Sequence, residues 1–291
     1  MMSLMNSLDD GRRALVLGGG GVAGIAWATG VLAGLADEGV DVRDADLIVG
    51  TSAGSAVGAQ ARSGLTVEEL FQRQVDPAVQ AREIPAEFDV ASFATTLRDI
   101  LEGARDQAEL RRRIGAWALK APTVAEAERR AAVATRLPEP GWPERPLVLV
   151  ALDAETGETR LFDRASGVDL VDAVAASCAV PGIWPPVTVE GRRYVDGGVR
   201  SNDNADLASG FGRVLVLSPL PPGAPTPWTS LEEQVGRLRE EGSSVEIVSP
   251  DEGSVAAMGP NPLDPSVRAP AAHAGREQGR REAPTVHSLW A

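Results

Sequence analysis

Asp46-Leu47-Ile48-Val49-Gly50-Thr51-Ser52-Ala53-Gly54-Ser55-Ala56-Val57 is the stretch on which the fold turns. An apolar run enters Gly-x-Ser-x-Gly and leaves through small helix-forming residues, which is the pattern of a strand bending sharply into a helix with a serine at the bend. Such an elbow closes only where the residues two before and two after the serine lack side chains. Gly50 and Gly54 meet that need, and Ser52 becomes a candidate nucleophile. The pattern alone is weak in a chain with 31 glycines among 291 residues, so its surroundings carry the reading.

Upstream, Arg13 to Leu17 reads as a short buried strand, Gly18 to Gly21 as a loop, and Gly24 to Glu38 as an amphipathic helix stopped by Gly39. With the strand before Ser52 this makes one βαβ unit, which sets the glycine loop beside the elbow at the carboxyl ends of parallel strands. The amides of Gly19, Gly20 and Gly21, with a helix start behind them, are candidate oxyanion donors. The plainer alternative is a loop kept small for helix–strand packing. Gly19, Gly21 and Gly24 also match a dinucleotide fingerprint, which requires an acid at the end of the second strand. Here that strand ends in Gly50-Thr51-Ser52, with Asp41, Asp44 and Asp46 ahead of it.

A serine nucleophile needs a base. The only histidines are His273, in a C-terminal helical stretch, and His287, four residues from the end; neither has a local catalytic setting. Asp196 does: it follows the turn and strand Gly191 to Val195 and precedes Gly197-Gly198, at a strand end in a tight turn. Before it, Ala176-Ser177-Cys178-Ala179-Val180-Pro181 ends a helix and opens a proline-braced loop fit to wall an acyl pocket. An aspartate in water is a poor base for a hydroxyl, and partial burial would raise its pKa.

In order and rough spacing, the glycine loop, the elbow, the Ala-Ser-Cys-Ala-Val-Pro loop and Asp196-Gly197-Gly198 resemble the patatin-like phospholipases, over residues 13 to about 207. The resemblance implies a three-layer α/β/α sandwich with a mostly parallel sheet. It also implies a Ser–Asp dyad that cleaves fatty-acyl esters of lipids, with no histidine in the dyad, no metal and no cofactor. By motif, Ser52 is then the nucleophile, Asp196 the base, and Gly19, Gly20 and Gly21 the oxyanion hole. One departure stands out. The family's glycine loop continues with any residue, a basic residue and glycine, whereas this chain continues Val22-Ala23-Gly24. The missing base at Ala23 implies a preference for neutral esters over phospholipids, unless another residue, Arg200 being the candidate, supplies the charge.

Composition fits one hydrolase domain over 1–291, with a core of about 13–250, a helical insertion of about 66–146 and a tail of about 259–291. A net charge of −13 argues against nucleic acid and against anionic membranes, and the single Cys178 excludes an internal disulfide. The uncharged run Ala14 to Ala36 is long enough for a span, but four glycines in its middle argue against a transmembrane or signal helix, so a cytoplasmic protein is expected. In the insertion, Leu110, Ile114, Trp117 and Ala121 share a helical face opposite Arg111 to Arg113: a cap on the body, or a peripheral lipid contact. Further strands are expected at Leu147 to Leu152, Thr159 to Phe162, Arg213 to Leu217 and Ser244 to Val248, with helices at Ser230 to Glu240 and from Asp264. The competing class is a catalytically silent lipid-binding or nucleotide-binding protein on a related fold.

Overall fold

The computed structural model describes residues 11–85, 90–221 and 229–291. Eight strands form one sheet: β1 (Arg13–Leu17), β2 (Leu47–Thr51), β3 (Leu147–Asp153), β4 (Thr159–Phe162), β5 (Val187–Val189), β6 (Arg192–Asp196), β7 (Arg213–Leu217) and β8 (Ser244–Val248). Their order is β5-β6-β3-β2-β1-β7-β8, with β4 also paired to β3. β1, β2, β3, β7 and β8 run parallel, while β4 and β6 pair antiparallel with β3 and β5 pairs antiparallel with β6. The inner parallel strands β1, β2, β3 and β7 read as largely apolar runs because both faces are covered. On one face Leu15, Leu17, Ile48 and Leu149 enter the larger core; on the other Ala14, Val16, Val49 and Val150 enter a second cluster.

The helices are α1 (Gly21–Asp37), α2 (Ala53–Ala61), α3 (Val67–Val75), α4 (Val90–Glu102), α5 (Gln107–Ala118), α6 (Glu126–Arg136), α7 (Leu170–Ser177), α8 (Leu231–Glu240), α9 (Glu252–Met258) and α10 (Arg268–Trp290). α1, α2, α7 and α10 contribute to the larger core, and α8 to the second cluster, which makes the expected α/β/α sandwich. α1 starts three residues before the expected Gly24, because Gly21 takes a φ of 63° that lets the chain enter the helix directly from the loop.

The tail helix α10 begins after a short 3₁₀ turn at Pro265–Val267. It lies backbone to backbone on α1. A Cβ on Gly30 would come within 2.1 Å of Ala272 O, and one on Gly275 within 2.3 Å of Trp27 O, so only glycine permits this approach. β5 and α9 were not expected. β5 is three residues between Pro186 and the Glu190-Gly191 turn, and α9 is two turns capped by Asp251, both too short to show a period.

The insertion between β2 and β3 holds α3 to α6; its residues 86–89 lie outside the described residues. α5 turns Leu110, Ile114 and Ala118 against Leu152, Ala154, Val195 and Val199, so its apolar face covers the body. Among the described residues, no helix is long and apolar enough to cross a membrane.

Candidate active site

Sheet register brings the expected residues together. Leu17 pairs with Gly50, Thr51 with Val150, and Ala151 with Asp196, so the glycine loop, Ser52 and Asp196 leave neighbouring strands at one edge. Ser52 has φ 53° and ψ −118°, a left-handed conformation that costs a side-chain-bearing residue on the order of 1–3 kcal/mol. Tight packing holds it there. A Cβ on Gly50 would lie 2.7 Å from Gly54 O, and one on Gly54 1.9 Å from Leu17 O. Ser52 N–H donates to Ser177 Oγ at 3.0 Å, and Ser52 O accepts from Ser55 Oγ at 2.6 Å and from Cys178 Sγ at 3.1 Å. Burial pushes the Cys178 thiol up, which keeps it a donor.

Asp196 ends β6 and is buried. Its N–H donates to Ala179 O at 3.0 Å, so the Ser177–Ala179 corner braces both the elbow and the aspartate. Oδ1 accepts from Gly198 N–H at 2.7 Å, whereas Oδ2 has no hydrogen-bond partner among the described residues. Burial raises the carboxyl to about 7, against the opposing pull of the Ser52 side chain, the Gly198 amide and the Arg129 charge. Ser52 and Asp196 line the same cavity, and the Ser52 side chain opposes the upward shift of the carboxyl. A hydroxyl poised beside a carboxyl that titrates near neutrality is the arrangement of a nucleophile and its base.

The glycine loop packs close to the elbow: a Cβ on Gly19 would sit 3.3 Å from Ser52 Cβ and 2.9 Å from Asn202 Oδ1. Its three amides are not equivalent. Gly19 N–H donates to Asn202 O at 2.9 Å, and Asn202 Nδ2 returns a bond to Gly19 O at 3.2 Å, so this amide is committed to holding the loop. Gly20 and Gly21 N–H make no hydrogen bond to the described residues and remain as donors beside Ser52. Of the expected trio, Gly19 is thus the one whose amide is bonded within the described residues. Behind the loop, burial raises Asp203 to about 6, opposed by hydrogen bonds from Ser218 and Asn202.

Gly19, Gly20, Gly21, Ser52 and Asp196 open into a cavity of about 460 Å³. Its other walls are apolar: Phe93 and Leu97 of α4, Ile114 and Trp117 of α5, Val180, Pro181 and Ile183 of the proline-braced loop, and Val255 and Met258 of α9. The insertion therefore supplies one wall of the site. Asp44 and Asp46 lie at the far end of the sheet, bonded to the Arg13 side chain and N–H. No acid from that run reaches the glycine loop, and the dinucleotide reading has no ribose ligand. His273 packs its ring edge-to-face on Phe71 at 5.4 Å, and neither it nor His287 lines the cavity. Among the described residues, no group of three His, Cys, Asp or Glu side chains is placed to hold a metal ion.

The expectations about charge fare differently. Ala23 is fully buried in the larger core and does not line the cavity. Arg200 is taken by Asn204 and Asp206. Sequence reasoning missed Ser177, Asn202 and Arg129. The run Ser201-Asn202-Asp203-Asn204 so soon after Asp-Gly-Gly was a usable signal for Asn202, since such residues favour side-chain bonds to loop backbone. Arg129 sits in an ordinary charged helix and offered none.

Fold and site together define a parallel-sheet α/β protein of serine-hydrolase layout, with an elbow serine after β2, a buried carboxyl at the end of β6 across the intervening β3, and free amides in a glycine loop. The chain matches the model of the patatin-like phospholipase family over residues 15–209, about two thirds of its length, and belongs to that family of lipid acyl hydrolases. Among solved structures it is similar to VipD from Legionella pneumophila, at 13% identity and a TM-score of 0.47, covering 94% of this chain and 67% of that one. It is also similar to the type III effector protein ExoU, at 16% identity and a TM-score of 0.37, covering 93% of this chain and 53% of that one. The chain thus spans about half the length of the second of these.

Proposed function

We propose that this protein hydrolyses fatty-acyl esters of lipids through an acyl-enzyme on Ser52, with Asp196 as the base and Gly20 and Gly21 as the oxyanion donors. The observation that carries this reading is the buried Asp196 carboxyl, with Oδ2 unpartnered, on the cavity wall that also holds Ser52. Above about pH 7 the carboxylate is ionised and takes the Ser52 proton as Oγ attacks the ester carbonyl. The tetrahedral oxyanion accepts hydrogen bonds from the two free amides, at the amino end of α1. The C–O bond breaks, Asp196 returns the proton to the departing alcohol, and the acyl group stays on Ser52. Water then loses a proton to Asp196 and attacks the acyl-serine; the bond between the acyl carbon and Ser52 Oγ breaks, Asp196 returns the proton to Oγ, and the fatty acid leaves with Ser52 and Asp196 restored. The acyl chain occupies the apolar cavity, whose size suits a small lipid chain.

Gly19 has a structural part in this scheme. Its missing side chain lets the loop approach Ser52, and its amide is spent on Asn202. The test is fatty-acid release from a short-chain diacyl ester by wild type and Ser52→Ala, with melting temperature as the folding check. The variant is expected to lose about three orders of magnitude or more. A folded Ser52→Ala protein that keeps a tenth of wild-type turnover contradicts the proposal.

A further inference from the structure

Ser52 and Asp196 leave β2 and β6, and β3 lies between those two strands. Neighbouring strands are about 4.8 Å apart, so nucleophile and base come from backbones roughly 10 Å apart, and the turns beyond the strand ends set how close they come. One buried side chain ties those turns together. The amide of Asn204 donates to Oγ1 of Thr51, the residue before Ser52, at 3.0 Å, and to the carbonyl of Gly197, the residue after Asp196, at 3.4 Å. Both Asn204 and Thr51 are fully buried, and neither lines the acyl cavity.

The amide is held in one orientation. Its Nδ2 also donates to Ser201 O at 2.7 Å, while its Oδ1 accepts from Arg200 Nη1 at 2.5 Å, and Arg200 is fixed in turn by Asp206. The backbone suits asparagine: φ 53° and ψ 39° lie in the left-handed region, which asparagine enters more readily than most residues with a side chain. Among the described residues three non-glycines have positive φ, and two of them, Ser52 and Asn204, are joined through Thr51. Such conformations persist only where the surroundings hold them. Neither end of the tie can drift. A Cβ on Gly197 would lie 2.4 Å from Val150 O, so that turn is pressed on β3, and Gln234 Nε2 of α8 donates to Ser201 Oγ at 2.7 Å. Through Asn202 the same short segment also holds the glycine loop at Gly19.

We propose that Asn204 is a positioning residue: its side-chain amide sets the separation of the Ser52 elbow and the Asp196 turn, so that hydroxyl and carboxyl meet at proton-transfer distance. This rests on the reading of Ser52 and Asp196 as nucleophile and base. A misplacement of about 1 Å can cost on the order of a hundredfold in rate, so loss of the tie falls on the chemical step and spares binding.

Two variants cut the tie from opposite ends. Thr51→Val keeps the shape of a buried strand residue and removes the acceptor, whereas Asn204→Gly keeps the left-handed backbone and removes the amide. Each is expected to lower kcat on p-nitrophenyl butyrate tenfold or more with KM within twofold, and to slow fluorophosphonate labelling of Ser52 by a similar factor. The double variant is expected to be hardly slower than the slower single one, because both changes break one interaction. Melting temperature checks folding. A wild-type labelling rate in either folded variant, or losses that multiply in the double variant, overturns the proposal.

The Asp196→Asn background separates this inference from the catalytic one. There Thr51→Val is expected to leave the residual labelling rate unchanged, since no base remains to be positioned; a further tenfold fall means that the change distorts Ser52 itself and overturns the proposal. If Asp196→Asn abolishes labelling while Thr51→Val and Asn204→Gly label like wild type, the dyad stands and Asn204 has no part in it. If Asp196→Asn labels Ser52 at the wild-type rate, the dyad falls and this inference falls with it.

Discussion

Glu83 sits between Arg136 and Arg268 at 2.5 and 2.6 Å, whereas Asp196, buried in the same molecule, keeps Oδ2 bare and meets Arg129 only through space. Burial opposes ionisation of Glu83, but the Arg136 and Arg268 charges outweigh it and hold the carboxyl below its usual range. Burial of Asp196 is not outweighed, and it rises to about 7. Neighbours decide which buried carboxyl is a tie in the fold and which is kept ready to take a proton.

Substitution at the two positions should break different properties. Asp196→Asn is expected to lower kcat/KM by about three orders of magnitude or more, and Ser52→Ala/Asp196→Asn to be hardly worse, because the two act as a unit. Ester hydrolysis with a matched set of folded variants checks this. Glu83→Gln is expected to act on folding, since it strands two buried cations; denaturant titration should show a loss of about 3–5 kcal/mol. Wild-type stability in Glu83→Gln would end the contrast between the two carboxyls.

The pH dependence sharpens the same contrast with a smaller effect. The folded value of Asp196, about 7, lies above its reference value of 3.8. Below about pH 4 both states hold the proton; from there to about 7 the unfolded chain releases it first, and stability falls as pH rises. Asp203, at about 6, adds with the same sign. Glu83 contributes in the opposite sense: its stabilisation is present at neutral pH and is lost as pH falls through its lowered folded value. Asp196→Asn should therefore be more stable than wild type at pH 8, by on the order of a few kcal/mol, with a smaller gain at pH 5. Melting curves at both pH values decide it, and a gain that does not grow with pH contradicts the raised carboxyl. The smallest effect is expected at the histidines: His273→Ala and His287→Ala should keep activity within about twofold, since neither lines the cavity.

How much of this was legible follows from what each residue depends on. β7 was read to the residue because a buried parallel strand shows itself as an apolar run, and β8, at the sheet edge, because Val245, Ile247 and Val248 mark it between Gly242 and Pro250. Ser52 and Asp196 were legible because their conformations need glycines at fixed offsets, and those leave a mark in the sequence. The bond of the Gly19 amide to Asn202 was not legible, because it joins residues 183 positions apart. Arg129 read as a solvated charge, since Glu126-Ala127-Glu128-Arg129-Arg130 gives no reason to bury one arginine and expose the next; packing against Trp184 makes that choice. The burial of Ala23 was not legible for the same reason, as nothing local says that its side chain points into the core.

The most direct measurement is the pH dependence of Ser52 modification by a small neutral fluorophosphonate, with the adduct located by peptide mass spectrometry. The account predicts one adduct, on Ser52, whose formation rate rises about tenfold per pH unit up to about 7 and then levels, and which Asp196→Asn loses. Labelling at another residue, or labelling of Ser52 that is flat through pH 7 and survives Asp196→Asn, would contradict it.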